Sequence, residues 1–125
     1  MAMLVVAQCM PRVEAATLPA GCVMNGTVLE TCQGFVGTQL ILENLGITEL
    51  RNDTVFAGLS SLTYLDLGNN NQLAALPGEG VFANLSSLLY LYLRNNMLTT
   101  LPEGVLTGLS ALQELRLDNN RLIAL

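Results

Sequence analysis

Apolar and polar residues alternate in short bursts along this chain, and the bursts repeat. The stretch from Leu62 to Asn70 reads LTYLDLGNN; it recurs as LLYLYLRNN from Leu88 to Asn96 and as LQELRLDNN from Leu112 to Asn120. Each copy follows L-x-x-L-x-L-x-x-N, at offsets of 26 and then 24 residues. A weaker copy comes first, with Leu40, Leu42, Ile47 and Leu50 in register and Leu45 at the asparagine position. The second halves align as well: Leu50, Phe56 and Leu59; Leu76, Phe82 and Leu85; Leu101, Leu106 and Leu109. Alternation across Tyr64 to Gly68 predicts a short strand with one buried face. Leu62, Leu65, Leu67, Leu73 and Leu76 then point inward. No single coil buries its leucines alone, so they stack on their equivalents in the next coil. Asn70, Asn96 and Asn120 stand where each strand turns away. A buried side-chain amide there satisfies turn backbone groups that would otherwise lack partners. They read as a structural asparagine ladder, not as a site.

On these residues, together with the Leu76-Pro77 and Leu101-Pro102 steps, the chain resembles the leucine-rich repeat family, specifically its extracellular type of about 24 residues per repeat. The plant-type G-x-I-P second half is absent. The resemblance covers 37–125 as about four repeats, the last one truncated. It implies an α/β fold: a curved, right-handed solenoid with short parallel β-strands on the concave face, and turns, 3-10 or short helical segments on the convex face.

Residues 17–36 do not follow the repeat. Cys22 and Cys32 bracket a segment holding Asn25-Gly26, a two-residue hairpin signal. The family usually covers its first coil with a cysteine-bearing N-terminal cap, so the resemblance implies a hairpin cap closed by a Cys22–Cys32 disulfide. Such a cap usually has four cysteines and this segment has two. A bridge closing so short a loop contributes up to roughly 3 kcal/mol; the alternative is two buried free thiols in a cytosolic protein. Residues 1–16 begin with the apolar run MAMLVVAQCM and end in Val13-Glu14-Ala15-Ala16, which resembles a secretory signal with a small-residue cleavage region but lacks a basic start. Its removal would take Cys9 and leave an even cysteine count, as an oxidising compartment favours. The alternative is a disordered or truncated start. Asn25, Asn52 and Asn84 stand in glycosylation sequons, the last two on the convex side. These features point to a secreted protein or the extracellular side of a membrane protein, with the cytoplasm as the alternative.

Composition narrows the chemistry. The 125 residues are 51% hydrophobic and only 12% charged, with no Trp and no His. Lysine is also absent. Without His, the Ser-His-Asp and Cys-His designs and His-ligated zinc sites are closed to this chain. A net charge of −5 argues against a nucleic-acid partner. Mean hydropathy is +0.48, yet no apolar run is long enough to span a bilayer. The 27 leucines instead supply a core at a fixed rate per repeat. Gly78-Glu79-Gly80-Val81-Phe82-Ala83 matches G-x-G-x-x-A, but it aligns with Glu103-Gly104 of the next repeat and reads as a convex-side turn. The carboxylates are dispersed and no base stands near a hydroxyl, so no catalytic residue, cofactor or metal is expected.

The outward strand positions hold the candidate chemistry. The third, fifth and seventh positions of each repeat form three rows: Gln39, Tyr64, Tyr90, Glu114; Ile41, Asp66, Tyr92, Arg116; and Glu43, Gly68, Arg94, Asp118. Every tyrosine falls in these rows and every phenylalanine outside them. Tyr and Arg are enriched at binding hot spots, although Tyr also suits any exposed strand. Arg116 is expected beside the Tyr92 ring, and Arg94 in a cross-strand ion pair with Asp118. Tyr64, Asp66, Tyr90, Tyr92, Arg94, Glu114, Arg116 and Asp118 are therefore the candidate contacts for a protein or peptide ligand. Leu122 to Leu125 stop within the fourth coil, leaving Leu115, Leu117, Leu122 and Leu125 at an open end. This predicts a fragment of a longer receptor or adhesion protein, or an end covered by missing repeats, a cap or another copy. The expected function is recognition by a secreted or cell-surface module. An intracellular scaffold or regulator and a secreted inhibitor of a foreign hydrolase are the other readings.

Overall fold

Three-residue strands, one per repeat, organise the molecule. The computed structural model describes residues 17–123; the expected leader with Cys9, and Leu125, lie outside the described residues. Strands β3 (Gln39–Ile41), β5 (Tyr64–Asp66), β6 (Tyr90–Tyr92) and β7 (Glu114–Arg116) form one parallel sheet in that spatial order. Leu40, Leu65, Leu91 and Leu115 lie opposite one another, so their side chains share the core face. Pairing continues past the strand ends: the Leu42, Leu67 and Leu93 N–H groups donate to the carbonyls of Asp66, Tyr92 and Arg116, each at 2.8 Å.

The core is the leucine stack the spacing predicts. Leu62, Leu65, Leu67 and Leu73 have no exposed surface. Burying one such side chain is worth about 1.5–3 kcal/mol. Behind them Phe56 stacks on Phe82, with ring centroids 6.3 Å apart. Leu106 occupies the same position in the next repeat and is partly buried.

The asparagines do two different jobs. Asn70 donates through Nδ2 to the carbonyls of Leu42 and Leu67, while its Oδ1 accepts the Leu45 and Ile47 N–H groups at 3.0 Å each. Asn120 makes the corresponding bonds to the Leu93 and Leu117 carbonyls and the Leu98 N–H. The preceding residue in each repeat adopts the left-handed backbone region, with φ of 60°, 55°, 59° and 60° at Asn44, Asn69, Asn95 and Asn119. Asn tolerates that region better than other side chains. This row explains the Asn-Asn doublets and was not foreseen from the leucine pattern.

The second repeat breaks the ladder. Leu67 and Leu73 are six positions apart, whereas the equivalent pairs Leu42–Ile47, Leu93–Leu98 and Leu117–Leu122 are five apart. The extra residue lies at Asn71-Gln72, and Asn71 takes a left-handed φ of 71°. Asn96 still donates to the Leu67 and Leu93 carbonyls, but its buried Oδ1 finds no partner. The displaced turn no longer presents the N–H pair that Asn70 receives from Leu45 and Ile47.

Among the described residues there is no helix, so the α/β class and the expected helical segments give way to strands and turns. The return segments carry isolated three-residue turns: Ala57 N–H to Thr54 and Leu59 N–H to Phe56, with the same pairs at Ala83 and Leu85 and at Thr107 and Leu109. Consecutive bonds would make a 3-10 helix. Bonds at alternate residues do not propagate one.

The N-terminal segment forms an antiparallel hairpin of β1 (Val23–Asn25) and β2 (Val28–Thr31). Asn25 pairs with Val28, so the two loop residues are Gly26 and Thr27, one position later than the Asn25-Gly26 expectation. Gly26, at φ 63°, supplies the positive φ that a tight hairpin requires. Cys22 and Cys32 are disulfide-bonded and buried. The hairpin docks on the first repeat through parallel pairing of β2 with β4 (Glu49–Leu50), and through the Cys32 N–H to the Val55 carbonyl at 2.9 Å.

Candidate functional site

The register of the four-stranded sheet brings the outward rows together. Gln39, Tyr64, Tyr90 and Glu114 lie side by side, as do Ile41, Asp66, Tyr92 and Arg116. Tyr64 stands at the centre of an aromatic cluster. Its ring lies 5.3 Å from Tyr92 in an edge-on arrangement and 6.1 Å from Tyr90 in a tilted one. Such contacts contribute about 0.5–1.5 kcal/mol beyond area burial. They also hold the rings in place, so little side-chain entropy is left to lose when a ligand arrives. All three tyrosines remain partly exposed.

Cations frame the cluster. The Arg94 and Arg116 guanidinium carbons lie 5.7 and 5.9 Å from the Tyr92 ring centroid, within cation–π range. The Tyr92 hydroxyl donates to Glu114 at 3.2 Å. Arg116 pairs with Glu114 at 3.5 Å and with Asp118 at 3.1 Å. The hydrogen bond and charge of Arg116 hold the Asp118 carboxyl below its ordinary value, and Asp118 in turn raises Arg116.

Two expectations need correction. Asp118 pairs with Arg116, two residues before it, not with Arg94 across the sheet. Arg94 lies instead over Gly68, where a Cβ would sit 3.3 Å from the Arg94 Cγ. The missing side chain opens a slot that draws Arg94 toward the second repeat and away from Asp118. Its Nε is buried there without a partner. The second correction concerns Asp66, a candidate contact. Asp66 is only 3% exposed, and its Oδ1 accepts the Gly68 N–H at 2.8 Å. It supports the cluster from beneath rather than meeting a ligand directly. Burial raises its pKa above the usual carboxylate value; the Gly68 N–H opposes that shift, and Glu43 adds to it. Burial, with Asp66 nearby, likewise raises the Tyr64 phenol.

Glu43, which stands in the third outward row but not among the candidate contacts, also takes part. Glu43 accepts from Asn69 at 3.3 Å, and the Asn95 amide donates to the Asn69 Oδ1, so a polar row flanks the cluster. The asparagine row beside it was signalled only by the Asn69-Asn70, Asn95-Asn96 and Asn119-Asn120 doublets.

The remaining candidates lie elsewhere. Asn25, Asn52 and Asn84 are exposed, and the Asn52 Oδ1 accepts both the N–H and the hydroxyl of Thr54 at 2.9 and 2.6 Å. Gly78 to Ala83 run through turns, with the Val81 N–H donating to the Gly78 carbonyl and the Ala83 N–H to the Gly80 carbonyl. A shallow groove of about 420 Å³ runs between Thr48–Arg51 and Ala74–Pro77. Among the described residues no group of three His, Cys, Asp or Glu side chains could hold a metal, and no helix is long and apolar enough to cross a membrane. An array of rings, guanidinium groups and carboxylates is suited to binding a surface. Residues 73–122 match the sequence profile of the leucine rich repeat family. No curated protein matches the chain.

Proposed function

From these leucine-rich repeats, we propose that the chain is a protein- or peptide-recognition module rather than an enzyme, its ligand seated on the outward face of the four-stranded sheet. In this reading the repeats wind as a right-handed curved solenoid and that face is concave, since parallel strand crossovers are right-handed in nearly all folds. Tyr64, Tyr90, Tyr92 and Arg94 anchor the ligand, Glu114, Arg116 and Asp118 form a polar rim, and Asp66 holds the cluster from below. The observation that carries the reading is the clustering of all three tyrosines with two arginines on one partly exposed face. Anchors of this kind dominate binding energy when a rim excludes water around them. The module is secreted or displayed outside the cell: the buried Cys22–Cys32 disulfide suits an oxidising compartment, and glycans on Asn52 and Asn84 would leave the tyrosine face free.

Selection of a displayed peptide library on the oxidised chain tests the proposal. Binders are expected to lose about 100-fold or more in affinity when Tyr64, Tyr90, Tyr92 and Arg94 are all replaced by Ala. Asn84→Ala, on the opposite side, should leave binding unchanged. Binders that hold the quadruple variant as tightly as the parent would overturn it. Intact mass with and without reductant, on protein from its native source, separates the extracellular reading from an intracellular scaffold.

A further inference from the structure

Arg94 stands on the tyrosine face with its hydrogen-bond donors unused. Among the described residues no ion pair reaches its guanidinium group, and its Nε is buried without a partner. The two Nη groups, equally unpartnered, reach solvent. Arg116, one repeat on, is already held by Glu114 at 3.5 Å and by Asp118 at 3.1 Å. Two contacts fix the Arg94 side chain in place. Its Cγ lies 3.3 Å from where a Cβ of residue 68 would sit, and its guanidinium carbon lies 5.7 Å from the Tyr92 ring centroid. A planar fork held in this way keeps parallel N–H groups ready for a bidentate acceptor.

By charge alone this face should draw a cation, because its outward rows hold Glu43, Asp66, Glu114 and Asp118 against two arginines. The hydrogen bonds point the other way. Glu43 accepts from the Asn69 amide, Asp66 from the Gly68 N–H, Glu114 from the Tyr92 hydroxyl and Asp118 from Arg116. The place a cation would take on the Tyr92 ring is filled twice, by Arg94 and by Arg116 at 5.9 Å. The open place is for an anion. Resting on the recognition reading above, we propose that the ligand is a peptide segment that brings a carboxylate to the Arg94 Nη groups, with its neighbouring side chains on Tyr64 and Tyr90. The two carboxylate oxygens match the fork, and a single charge is repelled less by the surrounding acids than a phosphate dianion would be. A ligand without an acceptor would cover Arg94 and leave its donors unmet, and that cost sets specificity at this position.

The test starts from displayed peptides that bind the oxidised chain and are lost when Tyr64, Tyr90 and Tyr92 are all replaced by Ala. These binders are expected to carry an Asp or Glu, or to need a free C-terminal carboxylate. Changing that peptide residue to Asn or Gln, or amidating that terminus, should weaken binding about tenfold or more, as should Arg94→Gln in the chain. The two changes together should cost little more than either alone, because each removes the same contact. The change on the peptide leaves the chain untouched, so it reads the contact even where Arg94→Gln shifts the tyrosines. Tyrosine-dependent binders that need no carboxylate, that ignore Arg94→Gln, or whose two losses add in full would overturn the inference and leave the recognition reading standing. Finding no tyrosine-dependent binder would overturn both.

Discussion

Asn70 and Asn96 occupy the same position in successive repeats and differ in how completely they are satisfied. Asn70 receives two buried N–H groups on Oδ1, while the Asn96 Oδ1 receives none. Removing Asn70 strands the Leu45 and Ile47 donors as well as carbonyl acceptors, and each buried polar group left alone costs about 1–3 kcal/mol. Asn70→Ala is therefore expected to lower stability by about 2–4 kcal/mol in a denaturant titration, and Asn96→Ala by distinctly less; equal losses would show that the donor bonds alone set the value. Asp66 gives a second prediction. Its pKa is raised, mainly by burial. The stability that follows from its protonated form is full below the unfolded-chain pKa and is lost as pH rises through the folded one. Asp66→Asn keeps an oxygen for the Gly68 N–H and removes the buried charge. Its melting temperature should exceed wild type at pH 7, and the gap should close as pH falls through the folded pKa. A variant no more stable than wild type at pH 7 would mean that Arg94 and Gly68 outweigh burial.

At the level of elements, the strands and their inner leucines were legible because a fixed period assigns each residue a face. Tyr64, Tyr90 and Glu114 fall in one row wherever the chain turns, provided the strands are parallel and in register. What the period could not carry was anything decided across repeats by a single residue. Arg94 turns toward Gly68 because that position has no side chain. Asp66 is covered because tyrosines stand beside it, although its position in the pattern is outward. Strand β4 was hidden because Glu49-Leu50 is too short to alternate and its partner lies in the N-terminal hairpin. The extra residue at Asn71-Gln72 was visible as a 26-residue spacing, but its effect on Asn96 was not. Deleting Gln72 should return the turn to the five-residue form and give the Asn96 Oδ1 its donors. Stability is expected to rise by about 1 kcal/mol, read as a higher denaturation midpoint with an unchanged slope; a loss would mean that the longer turn is supported by contacts of its own.

For the whole molecule, stability runs along a line of neighbours, since each repeat is completed by the next. The hairpin touches the first repeat at β4 and Val55, and its two strands are tied by the disulfide. Reduction should therefore loosen one end first. Amide exchange is expected to accelerate in β1, β2 and β4, while β6 remains protected; uniform acceleration would show that the array unfolds as a single unit. Gly68 bears on a different property, how freely this surface can diversify. A Cβ there would sit 3.0 Å from the Asp66 carboxylate, 3.2 Å from the Arg94 carbonyl and 3.3 Å from its Cγ. Most outward positions hang from a backbone whose register they do not set, so they are open to variation. A combinatorial repertoire built on this scaffold would tolerate randomisation at Gln39, Ile41, Tyr90 and Glu114, yet select glycine back at position 68. One residue without a side chain thus marks the boundary between what the scaffold fixes and what a changing ligand could reshape.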